Sequence, residues 1–459
     1  MRPAPVVPPA LVRRYDVAGP RYTSYPTVPA WTAPFGAEDY RAALREVAGR
    51  PAETLSLYVH LPFCAARCHY CGCNAVVTRR TEVVDRYLDR LERELDLVLE
   101  TLGRGRELVQ LHWGGGTPNF LDQAQRHRLV ERLERDFRFA PTAERSIELD
   151  PRLVTPGQIA DLKALGFNRV SLGVQDLVPE VQEAIGRVQP MALVTAVVEE
   201  VRKAGFDSLN LDLIYGLPRQ SLPGFRGTLE QILGLGPDRL ALFGYAHVPE
   251  MRAHQKQISV AELPAGYGKF QLFESAVRTF EASGYQWIGL DHFARPTDEL
   301  AQAAGERRLH RNFMGYTLKP ADHLLAIGMS GIGDVAGRFV QLDPKLGSYE
   351  KTVEGGELPV TRGHHLSDDD RRRRTAIMHL MCNLELPYDL PLEAGGTPRT
   401  MFAEDLERVE RHAADGLVVV EADRIVVTPV GRYFIRNLCM ELDAHLERAR
   451  ERAVFSRTV

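Results

Sequence analysis

At 459 residues the chain has room for about three average domains, or for one large α/β barrel with a smaller appendage. Hydrophobic residues at 44% and charged residues at 26% are ordinary for a folded chain, which excludes collagen-like, disordered and disulfide-scaffold classes. The 57 basic residues face 61 acidic ones, a net charge of −4, so no basic excess points to nucleic acid and no such partner is expected.

In chain order, residues 1–50 read as an N-terminal arm. Pro3, Pro5, Pro8, Pro9, Pro20, Pro26 and Pro29 interrupt regular structure around the patch Arg21-Tyr22-Thr23-Ser24-Tyr25. The start Met1-Arg2-Pro3-Ala4-Pro5 breaks up a signal-peptide core, and no window approaches the roughly 18 consecutive apolar residues of a membrane span. A cytoplasmic protein with no membrane insertion is expected. Residues 51–345 then repeat one rhythm, a short β-rich run followed by a helical pattern. The runs are Leu55 to His60, Leu108 to Trp113, Ser146 to Asp150, Arg169 to Gly173, Ser208 to Ile214 and Arg239 to Gly244. Such alternation predicts parallel strands with crossover helices, and Glu82 to Glu100 and Ala192 to Ala204 carry apolar residues at the spacing of helices packed outside a sheet. Six units suit a full or partial barrel; a doubly wound sheet has the same periodicity. After about residue 345 the rhythm stops. Residues 346–459 read as a smaller, mainly helical C-terminal domain, with helices over Asp368 to Leu384 and Met401 to Asp415, a hairpin over Gly416 to Val427 and a final helix. The Arg371 to Arg374 run after three aspartates reads as a solvated helix start.

If the strands are parallel, their C-terminal ends share one face, where α/β enzymes build sites. Standing there are His60 and a cysteine loop, Gly114 to Thr117, Glu148 and Asp150, Gln175 and Asp176, Asp212 and Tyr215, and Tyr245 and His247. Four of the six cysteines fall within ten residues, as Cys64-x3-Cys68-x2-Cys71-x-Cys73. Structural zinc usually draws its ligand pairs from two separated loops, and disulfides do not suit the expected compartment. An iron–sulfur cube held by closely spaced thiolates leaves one iron open for chemistry.

The loop resembles that of the radical S-adenosylmethionine (SAM) superfamily, which implies that Cys64, Cys68 and Cys71 bind a [4Fe-4S] cluster and SAM chelates its fourth iron. Further stretches are similar to one branch, the oxygen-independent coproporphyrinogen III oxidase family: Gly19-Pro20-Arg21-Tyr22-Thr23-Ser24-Tyr25-Pro26, Tyr58-Val59-His60, Cys71-Gly72-Cys73-Asn74, His112-Trp113-Gly114-Gly115-Gly116-Thr117-Pro118, Gly173-Val174-Gln175-Asp176, Asp212-Leu213-Ile214-Tyr215-Gly216-Leu217-Pro218, Tyr245-Ala246-His247 and Asp291-His292-Phe293-Ala294-Arg295-Pro296. The likeness continues to Phe455-Ser456-Arg457.

The resemblance implies a partial (β/α)6 radical SAM barrel that converts two propionates of coproporphyrinogen III to vinyls in haem synthesis. A 5′-deoxyadenosyl radical would take a β-hydrogen, and carbon dioxide and one electron would then leave. Carried over by position, Gly115, Gly116 and Thr117 meet the methionine part of SAM, and Glu148, Gln175, Arg187 and Asp212 hold its polar groups. Tyr70, Ile214, Ala246 and Ile332 match positions for a second SAM, so two molecules are expected. Tyr58 and His60 would stand near the sulfonium as catalytic residues, with Tyr58 also touching cofactor. Cys73 is not expected to bind iron; Cys382 and Cys439 read as buried fillers. Arg21, His292, Arg295 and Arg311 are candidate partners for substrate carboxylates. The arm is expected to act as a lid, with a permanently packed strap as the alternative. A reduced flavodoxin- or ferredoxin-like electron donor and a monomer are expected. Leu318 and Leu342 depart from the family pattern. The competing functions are a haem-binding chaperone on the same scaffold and an anaerobic haem-modifying enzyme.

Overall fold

Leu55–Leu61 is buried along nearly its whole length, which only a strand covered on both faces requires. In the computed structural model, which describes residues 6–31, 33–318, 321–451 and 455–458, this strand is β1 of a 12-stranded sheet. The start from Met1 to Pro5 lies outside the described residues. The strands that follow are β2 (Arg106–Gly115), β3 (Phe137–Leu149), β4 (Arg169–Gln175), β5 (Ser208–Tyr215) and β6 (Arg239–Gly244). Each is parallel to the one before it, and the spatial order equals the chain order. That is barrel winding; a doubly wound sheet reverses direction midway. The barrel is partial. Beyond β6 the antiparallel pair β7 (Gln286–Gly289) and β8 (His292–Ala294) forms one edge. On the other side β1 pairs in parallel with β9 (His323–Ile327), which leads antiparallel through β10 (Ile332–Val335) and β11 (Arg338–Leu342) to β12 (Val360–His365).

The crossover helices form where the sequence supplies apolar stripes and caps. The 22-residue helix Thr81–Leu102 buries Val84, Leu88, Leu91 and Leu95, three or four apart, against the sheet. Gln123–Asp136 starts at Asp122, whose carboxylate accepts from the Gln125 amide while the Gln125 side chain bonds back. Met191–Ala204 ends where Gly205 takes a left-handed φ of +74°.

Four expectations are corrected. The sheet does not end near residue 345, because β12 is part of it and the helical unit begins only at Ser367. The arm is not without regular structure: Ala37–Ala48 is a helix that buries Tyr40, Ala43, Leu44 and Val47. Nor is the arm built as a lid. Tyr22 and Tyr25 are fully buried, Tyr22 donates to Asp443, and Tyr25 accepts from the Ala444 amide. It is a strap, and one apolar cluster runs unbroken from Val7 through the barrel to Leu442. The arginine run opens the helix Asp368–Asn383 on a Ser367 cap, and Arg373 and Arg374 pair with Asp405 and Asp334 instead of facing only water.

Candidate active site

Side chains two apart on a strand share a face, and the concave face of this barrel is polar. It carries Tyr58 and His60 from β1, His112 from β2, Ser146 and Glu148 from β3, Ser171 from β4, and Asn210 and Asp212 from β5. The register sets His112 beside Ser146, Glu148 beside Ser171, and Ser171 beside Asn210. A cavity of about 560 Å³ runs along this face and is closed above by the cysteine loop.

Three features fix the loop. Phe63 and Cys64 pair in parallel with Val76 and Val77, so the chain leaves and returns at one place. The His69 amide donates to the Ile185 carbonyl (2.9 Å), and His254 Nε2 bonds the Cys71 carbonyl (2.7 Å). The glycine turn lies directly beneath. A Cβ on Gly116 would stand 2.4 Å from the Pro62 carbonyl oxygen, and Gly115 has φ +119°, so neither position accepts a side chain without strain.

Cys64, Cys68, Cys71 and Cys73 all line the cavity. Among the described residues no three His, Cys, Asp or Glu side chains surround a single ion position. A cubane does not need them to, since each thiolate holds a different iron. The donor set fits that group. Thr117 Oγ1 lies 3.4 Å from Cys64 Sγ, and Arg152 and Arg187 aim guanidinium nitrogens at Cys68 Sγ from 3.7 and 3.8 Å. Hydrogen bonds to the sulfurs are part of how a protein holds and tunes such a cluster.

The SAM candidates gather around the same cavity. Gly115 N–H donates to Glu148 (3.3 Å), whose other oxygen accepts from His112 Nε2 (3.2 Å). Burial works to raise the Glu148 carboxyl, but His112 and the Gly115 amide outweigh it and hold the group below its ordinary value. Arg187 donates to Asp150 (3.0 Å) and the Gly173 carbonyl (2.7 Å). Its Nε is buried without a partner among the described residues, as is Asn210 Oδ1. Asp212 accepts from Ser171 (2.9 Å) and Asn210 (2.6 Å); burial, and then the charge of Glu148, push it up to about 6. Gln175, at φ +70°, turns its side chain into the cavity beside Gly173. These buried, part-satisfied donors and acceptors suit an amino acid carboxylate, an ammonium and a ribose.

A second chamber of about 410 Å³ adjoins the first through His112, Glu148, Phe243, His292 and Met314. Tyr58 and His60 stand here. His60 Nε2 donates to the Asn74 carbonyl (3.1 Å), which leaves Nδ1 to accept from the Tyr58 hydroxyl (3.0 Å). Burial holds His60 below its ordinary value and raises Tyr58 well above its own, so the pair is neutral. Arg21, His292 and Arg311 line the chamber too. Arg21 and His292 both bond Asp291, and Arg311 lies 4.7 Å from the Tyr316 ring centre with Nε and Nη1 unpartnered among the described residues. Burial alone would raise Asp291, but Arg21, His292 and Arg311 hold it well below the carboxylate range.

Not every candidate converges. Arg295 donates to the Pro237 carbonyl (2.9 Å) at the opposite end of the sheet. It follows β8, which runs antiparallel to β6, so the chain there moves away from the strand C-termini. Of the second-SAM positions, Tyr70 and Ile214 line the cluster-side cavity, Ile332 the second chamber and Ala246 a third. Leu342 is a buried core residue, and Leu318 packs half-buried against a side cluster. Sequence reasoning did not assign roles to His112, Asp291 or Arg152. The first two lay within quoted motifs; Arg152 had no signal.

Comparison with known proteins fits this geometry. Residues 58–232 match the Radical SAM superfamily, and residues 366–434 the HemN C-terminal domain. The chain is 44% identical over 452 residues to an oxygen-independent coproporphyrinogen III oxidase of Escherichia coli, covering 98% of both chains. It is 41% identical over 454 residues to the protein of that name from Pseudomonas aeruginosa, again covering 98% of each. The solved structure of the Escherichia coli coproporphyrinogen III oxidase HemN, described as a radical SAM enzyme, superposes with a TM-score of 0.87 at 43% identity, covering 93% of this chain and 98% of that one. A cysteine loop over a glycine turn, a polar concave face and likeness along nearly the whole length agree, and the chain belongs to the oxygen-independent coproporphyrinogen III oxidase family of the radical SAM superfamily.

Proposed function

We propose that the chain performs the oxidative decarboxylation of two propionates of coproporphyrinogen III to vinyls, giving protoporphyrinogen IX. The observation that carries this reading is the adjoining pair of cavities, one lined by the cysteine loop and the other holding Arg311, whose Nε and Nη1 have no partner among the described residues. When bound, the cluster and SAM supply one-electron reductive cleavage of a sulfonium and hence a radical able to take hydrogen from carbon. The protein's own part is placement. Cys64, Cys68 and Cys71 hold the cluster; Gly115, Gly116, Thr117, Glu148, Gln175, Arg187 and Asp212 hold SAM on the strand ends. Arg311, with Arg21 and His292, draws a propionate carboxylate toward Tyr58 and His60. The strapped arm over the chambers keeps out water that would compete with the substrate.

Each vinyl formed requires loss of a hydrogen atom, carbon dioxide and one further electron, so a one-electron acceptor completes the reaction. A reduced flavodoxin- or ferredoxin-like protein is the proposed donor, acting on a monomer in the cytoplasm. Among the described residues no helix is long and apolar enough to cross a membrane. The second SAM, through Tyr70, Ile214, Ala246 and Ile332, also belongs to this proposal; equilibrium binding to the cluster-loaded protein should give two equivalents, and one would remove it. The chaperone and haem-modifying alternatives find no support in relatives that match end to end under the oxidase name. The test is anaerobic incubation with coproporphyrinogen III, SAM and a reductant, followed by mass analysis. Two successive losses of carbon dioxide with two hydrogens are expected, and SAM cleavage with unchanged porphyrinogen would overturn the assignment.

A further inference from the structure

A third chamber, of about 590 Å³, lies outside the ends of β5 and β6, on the far side of the Arg21–Asp291 pair from Tyr58. The first helical turns of Tyr267–Ala282, the segment around Arg432 and Arg436, and residues from both ends of the chain wall it. Its charge is unbalanced. Among the described residues five cations line it, Arg21, Lys269, Arg432, Arg436 and Arg457, against Asp16 and Asp291. Both acids are already paired, Asp291 with Arg21 and Asp16 with Arg457.

The remaining three cations have no carboxylate within ion-pair distance among the described residues. Arg436 is 8% exposed and spends its donors on the carbonyls of Gly19, Pro20, Ser456 and Arg457, so it fastens the strap and leaves its charge unneutralised. Arg432 lies over the Trp287 ring, 4.4 Å from its centre, and donates to the Trp287 carbonyl. Lys269 donates one N–H to the Tyr245 carbonyl (3.2 Å) and keeps two. Burial draws Lys269 down to about 8, with Arg436, Arg21 and Arg457 pressing the same way against Asp16. Arg436 is buried and Lys269 and Arg432 are half-buried, and cations withdrawn from water without a counter-charge are costly, so an anion placed in the cavity among them is favoured.

We propose that this chamber seats carboxylates of the tetrapyrrole that do not react, with Lys269 as their direct partner in the field of Arg432 and Arg436. The inference rests on the substrate reading above. Its geometry follows from the order of the cavities: a macrocycle with propionates around its rim, offering one to Arg311 beside Tyr58, extends others past the Arg21–Asp291 pair. Lys269 is thus a specificity residue, selecting ligands by carboxylate number, and takes no part in hydrogen removal.

The test uses the cluster-loaded protein, with Lys269→Met to remove the charge at similar length and Lys269→Arg to restore it. Binding of coproporphyrin III, an unreactive tetracarboxylate, is read by fluorescence beside a dicarboxylate porphyrin. Lys269→Met should weaken the tetracarboxylate about tenfold or more, leave the dicarboxylate within about twofold, and raise KM for coproporphyrinogen III more than it lowers kcat. Lys269→Arg should recover most of the loss. Iron content and SAM stoichiometry should not move; loss of a SAM equivalent in Lys269→Met would assign the chamber to cofactor and overturn the proposal. Equal weakening of both porphyrins, or none, would overturn it as well. If the wild type binds coproporphyrin III with this Lys269 dependence yet makes no vinyl product, the function fails and the chamber stands. Vinyl formation with no Lys269 dependence gives the reverse.

Discussion

Cys73 is the sharpest test at the scale of single residues. It is exposed, and its amide donates to Cys71 Sγ (3.4 Å), so it supports a ligand without needing to be one. Cys73→Ser should keep a full iron complement by metal analysis, while Cys64→Ser, Cys68→Ser and Cys71→Ser should each lose it; equal loss in all four would refute the assignment. Asp212 accepts two hydrogen bonds and still faces the cavity, so Asp212→Ala should weaken SAM binding by about thirtyfold or more with the cluster absorbance intact. Unchanged affinity in that variant would make Asp212 a scaffold residue. These positions were legible because each sits in a short motif at the end of an apolar run. Lys269 and Arg436 were not. A single cation in an amphipathic helix has no local signature, and its lack of an acid partner exists only in three dimensions. Arg295 misled for the opposite reason: it stands in a motif, but β8 reverses the chain and carries it away.

Among the secondary-structure elements, the helix Thr81–Leu102 carries a group that ties the site to pH. Glu94 is fully buried, accepts from Tyr349 (2.6 Å) and the Gly328 amide (2.9 Å), and so anchors the turn after β9. That turn is also held by Tyr87, which donates to the His60 carbonyl (2.8 Å) and accepts from the Met329 amide (3.1 Å). Burial pushes Glu94 up to about 7 from 4.5, against those two bonds. The folded protein therefore binds more protons than the unfolded chain between those values, and stability falls as pH rises through that window. Glu94→Gln keeps both accepting contacts, so it should flatten the profile and gain on the order of 1–3 kcal/mol over wild type at pH 8 relative to pH 4.5. Denaturant unfolding at the two pH values checks this, and an unchanged slope would contradict it. Removal of residues 1–28 should lower thermal stability and cluster content together, because it strips three buried tyrosines, Tyr15, Tyr22 and Tyr25, and the carbonyls of Gly19 and Pro20 that Arg436 holds. Survival of both, with only turnover impaired, would restore the lid. The strap's helix was hidden by its proline-rich surroundings, although Tyr40, Ala43, Leu44 and Val47 have helical spacing. Val360–His365 was missed because an edge strand reading Val-Thr-Arg-Gly-His-His has no buried face to give it a period.

At the level of the whole molecule, the partial barrel explains why so much was readable. Six short β-rich runs, each followed by a helical pattern, are a sequence property, and in β4 the side chains alternate strictly between buried and half-buried. The barrel also brings the candidate site residues together, since side chains two apart on neighbouring strands share the concave face. What lies outside the sequence is how the cavities connect: a cluster-side cavity, a chamber at Tyr58 and His60, and a cationic chamber beyond Arg21. On the proposed function, this succession brings a propionate β-carbon, and no other position of the substrate, to the radical. Coproporphyrinogen III deuterated at the propionate β-carbons tests it most directly, with 5′-deoxyadenosine isolated after anaerobic turnover and examined by mass spectrometry. Deuterium is expected in the 5′-deoxyadenosine formed alongside vinyl product. Vinyl product accompanied by unlabelled 5′-deoxyadenosine would contradict it.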